Sequence, residues 1–157
     1  MRDAYAEAED YCRKSLAQFE HLGNSPEIAH VLLDLSKSLL RQNQYREAAE
    51  QCSRGLQLAI HAKMAPRILS ALTLLAEIHI AEGRQEQAAR LLQIVLQYTQ
   101  APVATQKSAQ QLQTLLIAEL GEDTIKRLSQ ENLGQSLHNF GSHMLPKGYY
   151  ILDAIYN

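Results

Sequence analysis

At 157 residues the chain has room for one domain with a sizeable core. Fifteen Lys and Arg against seventeen Asp and Glu give a net charge of −2, without the basic excess or stripe that nucleic acid or an anionic membrane would need. Its apolar runs are broken well short of the ~20 residues that cross a bilayer, and its two cysteines form neither a CxxC pair nor a disulfide framework.

In chain order, YAEAEDYC at 5–12 lies in a predicted lone helix over about 3–20. Its acidic residues stand where a signal peptide would be apolar, so the expected setting is the cytoplasm. Ser25-Pro26-Glu27 reads as an N-cap, a proline at the first helical position and an acid in the first turn. That start predicts a helix over 26–42, and Leu32, Leu35 and Leu39 follow helical spacing within it. A second helix, 45–62, carries YREAAEQC, and a further pair is predicted at 66–82 and 85–100, the latter opening on QEQAARLL. The last pair is expected at 103–119 and 122–136. Pro66 and Pro102 mark helix starts, whereas Asn43, Gly83 and Gly121 fall where the first helix of a pair turns into the second.

These elements repeat. Ala8, Ala48 and Ala88 are forty residues apart, as are Leu16, Leu56 and Leu96, then Leu32, Leu72 and Leu112, and Leu35, Leu75 and Leu115. Helical hairpins stacked at a fixed period form a solenoid in which each unit buries its apolar face on its neighbours. The expected fold is all-α, a right-handed solenoid of antiparallel helix pairs with seven helices in about three and a half repeats. The repeat decays at its end, where Leu128 stands in the register of Ala88 and Asn132 in that of Cys52, as a polar terminal cap requires.

The pattern Leu32, Leu35, Tyr45, Ala48, followed by Leu72, Leu75, Ala76, Gly83, Ala88, resembles the tetratricopeptide repeat family. The forty-residue period departs from the family's ordinary 34 and is similar to the C-terminal arrays of bacterial STAND-type ATPases and large transcription regulators. The resemblance covers about residues 3–136. The chain opens on a second-type helix without its first-type partner, which suggests a piece of a longer array. Within such parents it implies a sensor or scaffold part of a nucleotide-dependent regulator.

No residue constellation points to catalysis, to a metal or to a cofactor. Cys12 and Cys52 share a register at roughly one repeat's separation, beyond the ~7 Å Cα reach of a disulfide, and read as packing residues. His21 and His61 sit near helix ends, where an imidazole suits the dipole, and lack a third ligand. His79 takes a core position and reads as a satisfied buried histidine. Glu7, Glu9, Asp10, Glu47 and Glu50 read as a solvated helix side. The chain is therefore expected not to be an enzyme, and to act through a protein or peptide partner.

In a curved solenoid the first helix of each pair lines the concave side. Carried over by register, the tetratricopeptide resemblance implies a groove of His30, Leu33, Lys37, Leu40 and Arg41, then Ser70, Thr73, Glu77 and Ile80, then Gln110, Gln113 and Ile117. Lys37 and Arg41, four residues apart, face one way and suit a carboxylate, or are simply solvated. Leu33, Ile80 and Ile117 favour an apolar ligand.

The chain closes on GSHMLPKGYYILDAIYN, which breaks with all of this. GSHM, at 141–144, resembles the remnant of a cleaved vector tag. Residues 1–140 then form the repeat domain and 145–157 a fused partner peptide, with Tyr149, Tyr150, Ile151, Leu152, Ile155 and Tyr156 as a tethered ligand. The competing expectation is a native tail packing on the array's own end, in a chain that assembles with copies of itself. A tethered peptide too short to reach its own groove would dock on a neighbouring molecule, giving a homo-oligomer by tail exchange.

Overall fold

A computed structural model describes residues 2–98 and 101–130, with side chains from residue 4 onward. Seven α-helices follow one another: α1 (Arg2–Leu22), α2 (Ser25–Arg41), α3 (Tyr45–His61), α4 (Ala65–Ala81), α5 (Gln85–Gln97), α6 (Val103–Leu120) and α7 (Glu122–Gln130). No strand is present among the described residues. Each helix packs on the next, and in addition α2 touches α4, α4 touches α6, and α5 touches α7. This is the expected solenoid: α2, α4 and α6 form one continuous layer, with α1, α3, α5 and α7 stacked behind it.

The forty-residue period divides further. Helices α2, α3 and α4 are each 17 residues long, joined by turns at 42–44 and 62–64. Gly23, Asn43, Lys63 and Gly83 all have positive φ, at 65°, 62°, 53° and 76°, so a left-handed residue recurs every twenty positions. Each closes the same hydrogen-bonded stop. The amide N–H groups of Asn24, Gln44, Met64 and Arg84 donate to the carbonyls of Phe19, Leu39, Ala59 and His79 at 3.1, 2.9, 2.8 and 2.8 Å, the six-to-one bond of a Schellman motif. The residue that completes this stop is also the N-cap of the following helix. The cap of α2 is Asn24, one residue before the expected Ser25: its side chain accepts from the Glu27 amide at 3.5 Å. Pro26 accordingly occupies the second helical position rather than the first.

Leu32, Leu35, Leu39, Leu56, Ile68, Leu69, Leu72, Leu75 and Ile78 are among the large side chains buried completely. Each contributes on the order of 1.5–3 kcal/mol. The central helix α4 is enclosed by α2, α3, α5 and α6, and residues 71–76 are all buried. Between α2 and α3 the backbones come close at Gly55. A methyl placed there would lie 3.1 Å from Leu33 Cδ2 and 3.3 Å from the Ala29 carbonyl oxygen. On the outer surface, ion pairs join neighbouring second-type helices: Arg13 to Glu47 at 2.7 Å and Arg54 to Glu20 at 3.0 Å. Half-exposed as these are, each adds at most about 1 kcal/mol.

Candidate functional site

The layer of α2, α4 and α6 carries a cleft of about 590 Å³. Its walls come from Lys37, Ser38 and Arg41 on α2, Ser70, Thr73, Leu74 and Glu77 on α4, and Ala104, Thr105 and Ser108 on α6, closed at one end by Tyr5 and Ala8 of α1. The lining moves from the last turns of α2 through the middle of α4 to the first turns of α6, so the cleft crosses the helices obliquely. Most of these side chains are small. Ser70 and Thr105 hydroxyls meet across the α4–α6 seam at 3.2 Å, while Ser70 also donates to the Pro66 carbonyl and Thr73 to that of Leu69.

Its charges are matched in place. Arg41 Nη1 lies 2.9 Å from Glu77 Oε1, and Lys37 Nζ lies 3.0 Å from Asp34 Oδ1, with His30 Nε2 3.5 Å from the other Asp34 oxygen. The two cations proposed as a carboxylate grip therefore already face carboxylates of their own layer. An incoming carboxylate would have to compete with Asp34 and Glu77.

Of the residues expected in the groove, Lys37, Arg41, Ser70, Thr73 and Glu77 line the cleft. Leu33 and Leu40 do not: they are 4% and 6% exposed and belong to the core cluster, Leu33 against Gly55. Ile80 is half-buried against the core. His30 and Gln110 are exposed, Gln113 is half-buried and Ile117 is 37% exposed; none of these four borders the cleft. Ser38, Ala104, Thr105 and Ser108 were missed because register transfer assumes level rows, and because α6 starts at Val103, two residues ahead of the forty-residue register set by α2 and α4. The proposed ligand side chains Tyr149, Tyr150, Ile151, Leu152, Ile155 and Tyr156 lie outside the described residues, as do the segment 141–144 and the end of the last predicted helix.

The remaining candidate groups are accounted for by packing. Cys12 and Cys52 are buried free thiols. Burial pushes Cys52 up to about 12, and burial, followed by the Asp34 charge, also raises Cys12. Both thus stay protonated and unreactive at neutral pH. Among the carboxylates, burial raises Glu9 but hydrogen bonds from Arg13 and Gln42 outweigh it and leave the group lowered. Glu47 pairs with Arg13 and Glu50 with Arg46. His21 and His61 occupy the last turns of α1 and α3, and no group of three metal-ligating side chains occurs among the described residues. His79 is buried as expected but not satisfied: its Nδ1 has no hydrogen-bond partner, the nearest carboxylate being Glu82 at 3.7 Å. No helix among the described residues is long and apolar enough to cross a membrane.

The helices define an all-helical repeat array in which each element packs on the next. Comparison with known families agrees for the first part of the chain: the tetratricopeptide repeat model matches residues 1–61, which span α1, α2 and α3. That segment is similar to the tetratricopeptide repeat, a class of fold that generally serves protein–protein interaction. No curated protein and no solved structure matches the chain.

Proposed function

We propose that the chain is a protein-interaction module whose cleft takes a hydrophobic, tyrosine-rich segment of a partner. The observation that supports this most is the make-up of the cleft. Its volume of about 590 Å³ is bordered by Ala8, Ser38, Ser70, Thr73, Ala104 and Ser108, which leaves the large side chains to be supplied by the ligand. A tyrosine ring buries much apolar area and carries a hydroxyl that needs a polar partner, and serine and threonine hydroxyls supply one. With Arg41 and Lys37 engaged by Glu77 and Asp34, an uncharged aromatic surface fits better than a carboxylate.

The segment 145–157 has this chemistry in Tyr149, Tyr150 and Tyr156 with Ile151, Leu152 and Ile155. Attached to the array, it would act at an effective concentration in the millimolar range, in its own cleft or in a neighbour's. The module is then a sensor or scaffold part of a larger regulatory protein and carries no catalysis of its own.

The test is a titration of fluorescently labelled LPKGYYILDAIYN into the full chain, with Tyr149, Tyr150 and Tyr156 changed to Ala to remove the internal competitor. Saturable binding that Thr73→Arg abolishes and Arg46→Ala leaves intact supports the reading. Binding that ignores Thr73→Arg, or none at high micromolar concentration, refutes it.

A further inference from the structure

A second cavity, of about 540 Å³, lies between α3 and the turn that leads into α5. Arg46, Ala49, Glu50, Ser53 and Arg54 line it from α3, and Glu82 and Arg84 from the turn.

The repeat shows how the same place is filled one unit earlier. Forty residues back, Ala49, Ser53 and Glu82 correspond to Glu9, Arg13 and Gln42. There Arg13 bridges Glu9 and Glu47 at 2.8 and 2.7 Å, and the Gln42 amide donates to Glu9 at 2.8 Å. In the α3 unit the two long side chains are cut to a methyl and a hydroxymethyl, and the Ser53 hydroxyl donates to the Ala49 carbonyl at 2.8 Å. Over the same step Ala6 and Gln44 give way to Arg46 and Arg84, and Lys14 to Arg54. Space and guanidinium groups thus arrive together.

We propose that this cavity binds a phosphate monoester, its phosphate held by Arg46, Arg54 and Arg84 and its organic group lying over Ala49. Each arginine has a carboxylate partner: Arg46 Nε lies 3.3 Å from Glu50, Arg54 Nη2 lies 3.0 Å from Glu20, and Arg84 pairs with Glu82. All three arginine side chains are exposed, and ion pairs in such a setting are weak. A carboxylate ligand would only exchange one partner for another of the same kind. A phosphate monoester brings nearly two charges and three acceptor oxygens, enough to engage several guanidinium groups at once through their paired N–H donors. Glu82 gives up Arg84 at little cost. The buried Nδ1 of His79, which has no hydrogen-bond partner, lies 3.7 Å from Glu82 Oε2, and a neutral imidazole can carry its proton on that nitrogen. The cavity has room for more than a phosphate, and Ala49 with the aliphatic stems of the arginines offers apolar surface to the carbon part of the ester. The proposal is independent of what the cleft itself binds.

The test is isothermal titration calorimetry of the full chain with two probes, glycerol 3-phosphate for a small-molecule source and phosphoserine blocked at both ends for a modified partner protein. The expected result is saturable binding of at least one probe and of neither glycerol nor blocked serine, and the tighter probe identifies the source. Arg46→Ala and Arg84→Ala should each weaken it by at least about tenfold, and Lys107→Ala should not change it. Ala49→Glu combined with Ser53→Arg copies the Glu9–Arg13 pair into the cavity and should abolish binding while the melting temperature stays that of the parent. Absence of saturation by both probes at on the order of 10 mM, or binding that the arginine variants and the double substitution all retain, overturns the proposal.

Discussion

The Ser36 hydroxyl donates to the Ala48 carbonyl at 2.8 Å across the buried seam between α2 and α3. Both groups are cut off from water, so Ser36→Ala leaves a carbonyl short of one partner and costs about 1–2 kcal/mol. Thermal unfolding should drop by roughly 2–6 °C for a domain of this size. A melting temperature within 1 °C of the parent would mean that water replaces the hydroxyl, at odds with its burial.

A methyl at Gly55 meets the Ala29 carbonyl and the Leu32 Cβ at 3.3 Å as well as the Leu33 tip. The side chain of Leu33 can turn aside, but the backbone of α2 cannot without moving the helix. The roughly 1 kcal/mol that alanine gains over glycine in a helix is therefore offset, and Gly55→Ala should leave urea stability level or slightly lower. Gly55→Leu, which has to push the helices apart, should lose about 3 kcal/mol.

Lys63 adopts φ 53° at the position where the equivalent turns use Gly23 and Gly83. A side chain there carries backbone strain of about 1 kcal/mol, so Lys63→Gly should raise stability by roughly 0.5–1 kcal/mol despite the added freedom of the unfolded chain. The reverse change, Gly83→Ala at φ 76°, should lower stability by a similar amount, although nothing lies within 4 Å of the added methyl. Denaturation midpoints of the two variants should therefore move in opposite directions.

Burial, followed by the nearby Arg84 charge, lowers the His79 imidazole to about 4. Glu82 lies 3.7 Å away but is itself engaged by Arg84, which blunts its attraction for a proton. Because the folded value lies below the unfolded one, the unfolded chain binds the proton more readily and acid favours it. The stability that the neutral imidazole contributes is complete above pH about 6.5 and is lost as pH falls toward 4, on the order of 3 kcal/mol in all. His79→Leu should flatten the melting temperature between pH 6.5 and 4 relative to the parent; parallel profiles would show that His79 is not the titrating group.

The bounds of α2 and α3 were legible in the sequence to within a residue. The expected 26–42 and 45–62 became Ser25–Arg41 and Tyr45–His61, since the apolar period, the prolines and the turn residues agree. The left-handed turn at Lys63 has no such signal: lysine advertises no positive φ, and the twenty-residue spacing is a property of the backbone. The cleft was only half legible. Thr73 and Glu77 follow from register, but Ser38 and Ser108 enter because the cleft runs diagonally, a property of how the helices stack rather than of any one helix's pattern. Leu33 stands outside the cleft for a related reason: helical spacing alone does not distinguish the cleft wall from the seam where Gly55 lets α2 and α3 close in.

The twenty-residue step has a consequence for how such a chain tolerates change in length. One step is a helix and its turn, ending on a left-handed residue and starting the next cap. Removing a single step would bring every later helix to the opposite layer, so that residues built for the interior of the cleft would face the back. Removing two steps in succession restores front and back. The array is thus free to grow or shrink by even numbers of helices and locked against odd ones, and the parity is kept by the backbone at Gly23, Asn43, Lys63 and Gly83 more than by any side chain of the core.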